Sequence, residues 1–192
     1  MQTWDEAQEY ERQWHDNCVN SYQEESKQIT YAKRMGLVLE NKNGKYPVID
    51  FKNQSVLDMG GGPYSLLLKG INLTGTVVDP CDYPSWVNER YKAAGITFIK
   101  AKGEDYCEGK YDVGLIYNVL QHVDNPKKVI ENMRGMCKII YLHEWLDTPI
   151  SDGHIHSLHE EDLNEWLDDD GLTDYETWSD TVKTKYYYGV FI

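Results

Sequence analysis

The chain predicts an α/β fold: a doubly wound, seven-stranded, mostly parallel sheet closed by a C-terminal antiparallel hairpin and preceded by an N-terminal helical cap. Three observations carry this. From Ser55 onward, short apolar runs alternate with helical stretches, which implies a parallel sheet covered on both faces. The last two strand-like segments, Leu172 to Ser179 and Thr184 to Ile192, are joined by a connection too short for a right-handed crossover, so they must pair as a hairpin. The first main strand ends in Val56-Leu57-Asp58-Met59 and runs straight into Gly60-Gly61-Gly62-Pro63, a junction whose backbone can approach a ligand without Cβ interference.

Taken in order, residues 1 to 36 read as helical and mostly polar, with Trp4, Ala7, Trp14 and Cys18 near one helical face. Ser21-Tyr22-Gln23-Glu24 has capping-box spacing, so a second helix starts at Tyr22 and stops at Gly36. Asn41 to Lys45 is turn-like, and Pro47 to Phe51 is a short extended piece. Strands follow near 55–59, 75–79, 96–100, 111–117 and 137–143, with helices near 64–69, 84–94 and 126–136; Gly95 and Asn125-Pro126 act as stop and start signals. A second capping box, Ser157-Leu158-His159-Glu160, opens a helix ending near Gly171.

At 192 residues the expectation is a single domain, residues 1–192, with 1–40 as cap and 50–192 as core. Lys and Arg number 19 against 32 Asp and Glu, and the net charge of -13 argues against a nucleic-acid partner, whose affinity comes from basic residues neutralising phosphates. Cys18, Cys81, Cys107 and Cys137 are scattered with no C-x-x-C pair, which fits reduced thiols and a cytoplasmic location. No apolar stretch approaches the roughly 20 residues that span a bilayer, so no membrane partner is expected.

The glycine loop decides the ligand class. A dinucleotide site wants Gly-x-Gly-x-x-Gly/Ala; Gly60 and Gly62 fit the first two positions, but Ser65 takes the third, and Asp58 would repel a pyrophosphate at short range. An acid there suits a ligand with a cationic end. Asp58-x-Gly60-x-Gly62 resembles motif I of the class I S-adenosylmethionine-dependent methyltransferases of small-molecule type, with Tyr64 where that family has its third glycine. The resemblance covers about residues 50 to 192 and implies a Rossmann-like core, S-adenosyl-L-methionine as cofactor and S-adenosyl-L-homocysteine as product.

Ligands of open α/β sheets sit beyond the carboxyl ends of the strands, so the residues after each strand matter most. The resemblance assigns cofactor contacts to Asp58, Gly60, Gly61, Gly62 and Pro63 in the first loop. It gives ribose hydroxyls to Asp79, followed by Pro80, and the adenine edge to Gly103 with Glu104 or Asp105. Tyr117-Asn118-Val119-Leu120-Gln121-His122-Val123 is similar to the family's N-V-L-x-H-V segment, which puts Asn118, Val119 and Leu120 on the cofactor. His122 in that pattern is more often packed and hydrogen-bonded than a base.

After the fifth strand come His143-Glu144-Trp145 and Gly153-His154-Ile155-His156. His154, His156 and His143 are the candidate catalytic groups, because an imidazole can take a proton near physiological pH and alternate residues of an extended loop point the same way. The same set could ligate a zinc- or iron-type metal, or form an ordinary polar loop; no metal is assigned. Trp14, His15, Glu144 and Trp145 are the candidate substrate contacts, with the cap's aromatics as a roof. The expected function is methyl transfer from S-adenosylmethionine to an oxygen or nitrogen of a small polar acceptor. The alternatives are a non-catalytic adenosyl-cofactor-binding or interaction module and, behind it, an NAD-dependent oxidoreductase.

Overall fold

A computed structural model describes residues 3–18, 22–42, 46–177 and 182–192. Ser21, Asn43 to Lys45 and Ser179, on which the first capping box, part of the turn and the end of one hairpin strand were expected, lie outside those residues, and so does the side chain of Cys18. Two helices, α1 (Trp4–Cys18) and α2 (Tyr22–Arg34), precede β1 (Leu39–Lys42) and the long β2 (Tyr46–Met59). Then come β3 (Gly70–Asp79), α3 (Ser85–Ala93), β4 (Thr97–Lys100), β5 (Tyr111–Tyr117), α4 (Pro126–Met136), β6 (Cys137–Trp145), α5 (Glu160–Leu167), β7 (Leu172–Thr177) and β8 (Lys183–Phe191).

The sheet runs β4-β3-β2-β5-β6-β8-β7, with β1 attached to β2. It therefore has eight strands rather than seven; the seven expected ones form the path, and β1 is an antiparallel addition pairing Leu39 with Ile49. The extended piece at 47–51 is not separate either. It is the first half of β2, joined to 55–59 across an irregularity where Lys52 and Asn53 take φ of 53° and 64°. β2 to β6 are parallel, and β8 inserts antiparallel between β6 and β7, pairing Trp145 with Tyr186 and Leu172 with Tyr188.

Alternation along the buried strands feeds two cores. On one face Val56, Val77 and Leu115 meet Tyr31 and Ala32 of α2, Met35 just after it, and Val87 and Tyr91 of α3. On the other, Leu57, Val78 and Ile116 meet Val129, Ile130 and Met133 of α4 and Leu163 and Leu167 of α5. α4 begins where expected because the Asn125 side chain accepts from the Lys128 amide at 3.0 Å and Pro126 occupies the first turn. α5 is shorter than expected. Its N-cap is His159, with no side-chain cap, and Asp168 ends it in a left-handed conformation with φ of 55°.

The largest departure lies between β2 and β3. The helix expected at 64–69 is replaced by two short 3-10 turns, Gly62–Tyr64 and Leu66–Lys69, separated by an extended Ser65. Ten residues must carry the chain back over the sheet, fewer than a helical crossover uses. α2 packs against both turns and supplies the apolar cover that a crossover helix would give.

Candidate functional site

Strand order reverses between β2 and β5: β3 and β4 step away on one side, β6 on the other. The carboxyl ends of the parallel strands open there into a cleft of about 420 Å³, roofed by α1 and α2. Gly60, Gly61, Gly62 and Pro63 line it, with Asp79 and Pro80 after β3 and Gly103 and Glu104 after β4. Asn118 and Val119 after β5 also reach it, as do Trp14, His15, Trp145 and His154. Asp58, Asp105, Leu120, His143, Glu144 and His156 do not line the cleft.

The glycine loop is held from below by side chains, because a short non-helical crossover leaves its backbone groups without helical partners. The Leu66 amide donates to the Tyr117 hydroxyl at 3.0 Å, the Ser65 amide to the Tyr91 hydroxyl at 3.1 Å, and the Tyr91 hydroxyl to the Gly62 carbonyl at 2.6 Å. Asp58 is the brace beneath them. It is fully buried, and its Oδ2 accepts from Ser65 and Tyr117 at 2.5 Å each while Oδ1 is buried with no partner. Burial outweighs those two bonds and pushes its pKa up to about 7. Asp58 is thus placed under the loop rather than facing a ligand. A Cβ at Gly61 would lie 2.7 Å from its Oδ2, and one at Gly60, where φ is 73°, would lie 2.6 Å from both Val119 methyls.

Glu144 does the same work for the loop after β5. Its Oε1 accepts from the Val119 amide at 2.8 Å and the Leu120 amide at 3.1 Å, Oε2 is buried and unpartnered, and burial raises its pKa to about 7. His143, one residue earlier on β6, points to the opposite face, as strand geometry requires. There it stacks between Tyr31 at 4.4 Å and Tyr186 at 5.2 Å and accepts from Arg34 at 3.3 Å. Burial, then the Arg34 charge, lower its pKa to about 3. Both residues belong to the core of the sheet, and sequence position at a strand end did not reveal that β6 is covered on both sides.

Asp79 does face the cleft. Its Oδ1 accepts from the Cys81 amide at 3.0 Å and the Tyr83 hydroxyl at 2.9 Å, and its Oδ2 from the Gly62 amide at 3.0 Å. An ionised carboxylate offers about four lone-pair positions, so one on Oδ2 stays free for a donor in the cleft. Burial raises its pKa, against the pull of those donors and of His15. Gly62 has φ of 57°, and a Cβ there would find nothing nearer than His15 at 3.6 Å, so its backbone borders open cleft. At the far end Asn132 holds the Gly103 and Glu104 carbonyls at 3.0 and 2.7 Å, and Glu104 Oε1 accepts from the Asn125 amide at 3.0 Å. Tyr64 lies 5.0 Å beneath the Arg90 guanidinium at the cleft edge.

The loop after β6 splits the predicted histidine pair. Ser151 and His154 bond to each other's backbone, and the Ile155 and His156 amides donate to the Gln121 carbonyl at 2.9 and 3.3 Å. His156 Nε2 then donates to the Val123 carbonyl at 2.8 Å, which ties its ring to the neighbouring turn, while His154 turns into the cleft. Burial and the His122 charge lower the His154 pKa to about 4. Among the described residues no group of three or more His, Cys, Asp or Glu side chains is placed to hold a metal ion. The sequence weighs His122 as packed more often than a base and gives no sign of Glu11 of α1, yet both line the cleft and lie 3.2 Å apart. Their 111-residue separation carries no local signal.

The free lone pair of Asp79, the glycine backbone bordering the cleft and the acidic lining suit an adenosyl ligand with hydroxyl and ammonium donors. They do not suit a pyrophosphate. The glycine loop leads into 3-10 turns, so it offers no helix N-terminus of the kind that binds one.

Comparison with known proteins agrees with this geometry. Residues 57–139 match a family model described as a methyltransferase domain. An uncharacterised methyltransferase of Mycolicibacterium gilvum is 31% identical over 88 residues, 43% of this chain and 34% of that one, so the match spans about a third of the curated relative. Among solved structures, a methyltransferase from Thermotoga maritima, described as S-adenosylmethionine-dependent and a possible histamine N-methyltransferase, superposes with a TM-score of 0.57. It is 11% identical, and the superposition covers 92% of this chain and 98% of that one. An S-adenosylmethionine-dependent methyltransferase from Aquifex aeolicus gives 0.51 at 15% identity, over 73% and 84% of the two chains. At such identities the likeness is one of fold.

Proposed function

We propose, from the premise that this chain carries a class I methyltransferase domain, that its cleft binds S-adenosylmethionine and passes the methyl group to an oxygen or nitrogen of a small polar acceptor. The observation that supports this most is the meeting of Asp79 and the Gly60–Gly62 backbone at the point where strand order reverses. When bound, the cofactor supplies a methyl group made electrophilic by its sulfonium. The chain's own residues do the rest.

Asp79 accepts from ribose hydroxyls through its free lone pair, and Gly62 leaves room for them. Gly103 and Glu104 border the adenine end, where Lys102 sits over the Trp4 ring at 3.3 Å and ties the cap down. The loop at Asn118 and Val119, held by Glu144, borders the reacting centre. Tyr31, Trp145, Trp14 and His154 also line the cleft and supply the acceptor side, an aromatic lining that excludes water and orients a small ring or chain. The lining carries Glu11, Glu24, Asp79, Glu104 and Asp152, while its two lysines are each ion-paired, Lys27 with Glu24 and Lys102 with Asp124, both at 3.0 Å. Such a lining favours a neutral or cationic acceptor over an anionic one.

Isothermal titration tests the reading. S-adenosylhomocysteine binds the wild-type protein with one-to-one stoichiometry, and Asp79→Ala weakens it at least about 100-fold by removing a charged acceptor and the tether of Gly62. A wild-type protein that takes up no S-adenosylhomocysteine contradicts it.

A further inference from the structure

Three segments remote in sequence meet at His122. Its Nδ1 lies 2.8 Å from the Gly153 carbonyl and 3.2 Å from Glu11 Oε1. Both are acceptors, so Nδ1 carries the hydrogen and Nε2 keeps its lone pair. No protein partner takes Nε2 among the described residues, and the ring lines the cleft beside Val119. The arrangement is built rather than incidental. Gln8, one turn before Glu11 on α1, donates to the His122 carbonyl at 3.2 Å and so fixes the helix against the turn. Gly153 has φ of 83°, and a Cβ there would stand 2.7 Å from Glu11 Oε1 and 2.8 Å from the Tyr10 ring, so only glycine lets the carboxylate in.

We infer that Glu11 and His122 form the proton-accepting pair of the transfer: His122 Nε2 is the catalytic base, and Glu11, delivered by the cap helix, is the positioning residue that holds its tautomer. This rests on the reading of the cleft given above. The X–H bond of the acceptor breaks with its proton going to Nε2 and its electron pair left on X. That pair forms the X–C bond as the C–S bond breaks with its pair on sulfur. Positive charge vanishes at sulfur and appears on an imidazole that already faces a carboxylate.

The surrounding groups fit the role. His122 faces Glu11 and the ring of His154 from the loop, 4.7 Å away, with the buried Glu144 from β6 further off, while His15 from α1 faces Glu11 Oε2 at 3.8 Å. Burial pulls the His122 pKa down, but the hydrogen bond and charge of Glu11 outweigh it and leave it raised. Burial likewise raises Glu11, yet His122 and His15 bring it below the ordinary carboxylate value. His154, at about 4, is too weakly basic to compete. A bound sulfonium would draw His122 back toward neutral pH, where a base works best.

Histidine-resolved NMR titration tests the pair, with His122→Gln assigning the signal. In the free protein His122 titrates above the ordinary imidazole value, and Glu11→Gln, which keeps the shape and removes the charge, lowers the midpoint by about one unit. S-adenosylmethionine lowers it by about one unit relative to S-adenosylhomocysteine, because only the former is a sulfonium. In turnover with phenols or aromatic amines, followed as S-adenosylhomocysteine released, His122→Gln lowers kcat about 100-fold while S-adenosylhomocysteine affinity is unchanged. Identical midpoints with the two cofactors, an unshifted midpoint in Glu11→Gln, or wild-type kcat in His122→Gln each overturn the pair. Failure of either cofactor to bind overturns the functional reading itself, whereas binding without the differential shift overturns the pair alone.

Discussion

The two sides of the cleft are built in opposite ways. On the sheet side every loop rests on buried side chains: Asp58, Tyr91 and Tyr117 under the glycine loop, Glu144 under Val119 and Leu120, Asn132 under Gly103. On the cap side Ala7 is the one buried apolar residue among the described side chains of α1, which meets the body through polar and aromatic contacts: Gln8 to the His122 carbonyl, Glu11 to the His122 ring, Trp4 under Lys102. Tyr10 and Trp14 remain exposed at the rim. The sheet side is thus formed with the fold, while the cap side, including the carboxylate beside His122, depends on a helix held by contacts worth little individually.

Breaking the sheet side should cost most. Gly60→Ala puts a Cβ 2.6 Å from both Val119 methyls at a φ of 73°, and the expected loss is about 2–4 kcal/mol in denaturant melts. Adding Val119→Ala recovers the steric part and leaves the backbone part. Tyr117→Phe removes a donor to Asp58 and an acceptor for the Leu66 amide, so it should cost about 2–3 kcal/mol and weaken S-adenosylhomocysteine binding through the loop.

A pH series sharpens the comparison. Asp58 and Glu144 have folded pKa values of about 7, above those of an unfolded carboxyl. Between roughly pH 4 and pH 7 the folded state therefore binds more protons than the unfolded one, and this contribution to stability falls as pH rises and levels off above about 7. Asp58→Asn and Glu144→Gln should each flatten that slope in thermal melts at pH 5, 6, 7 and 8. A slope unchanged in both variants would show that the two carboxyls are ionised throughout. The smallest effect belongs to the cap: Trp4→Ala removes one partly exposed cation–π contact, costs about 0.5–1 kcal/mol, and raises hydrogen exchange in α1 while α4 keeps its protection.

The same contrast explains what could be read from the residues. β5 at 111–117 and α4 at 126–136 match their expected bounds because their signals are local: an apolar run, then Asn125-Pro126. The place of Asp79, Gly62 and Gly103 at the cleft was legible for a similar reason, since each ends or follows a strand and the strand ends define the cleft. The missing crossover helix was not, because Leu66 to Lys69 carries helix-forming residues and only the demand to reach Gly70 and pair with Ile49 makes it turn. His143 and Glu144 misled because two-sided burial of β6 depends on β8 and α2, which come from both ends of the chain. His156 misled because the alternation argument assumed an extended loop, whereas the loop folds back on Gln121 and Val123. Glu11 and His122 became a pair only when α1 was seen lying across the turn after β5.

The decisive measurement is a crystal structure of the S-adenosylhomocysteine complex. Ribose hydroxyls are expected on Asp79, adenine beside Gly103 and Glu104, and the sulfur open toward the side of the cleft where His122 and Glu11 meet. A ligand bound elsewhere, or one whose sulfur faces away from His122 with α1 in place, would contradict that placement.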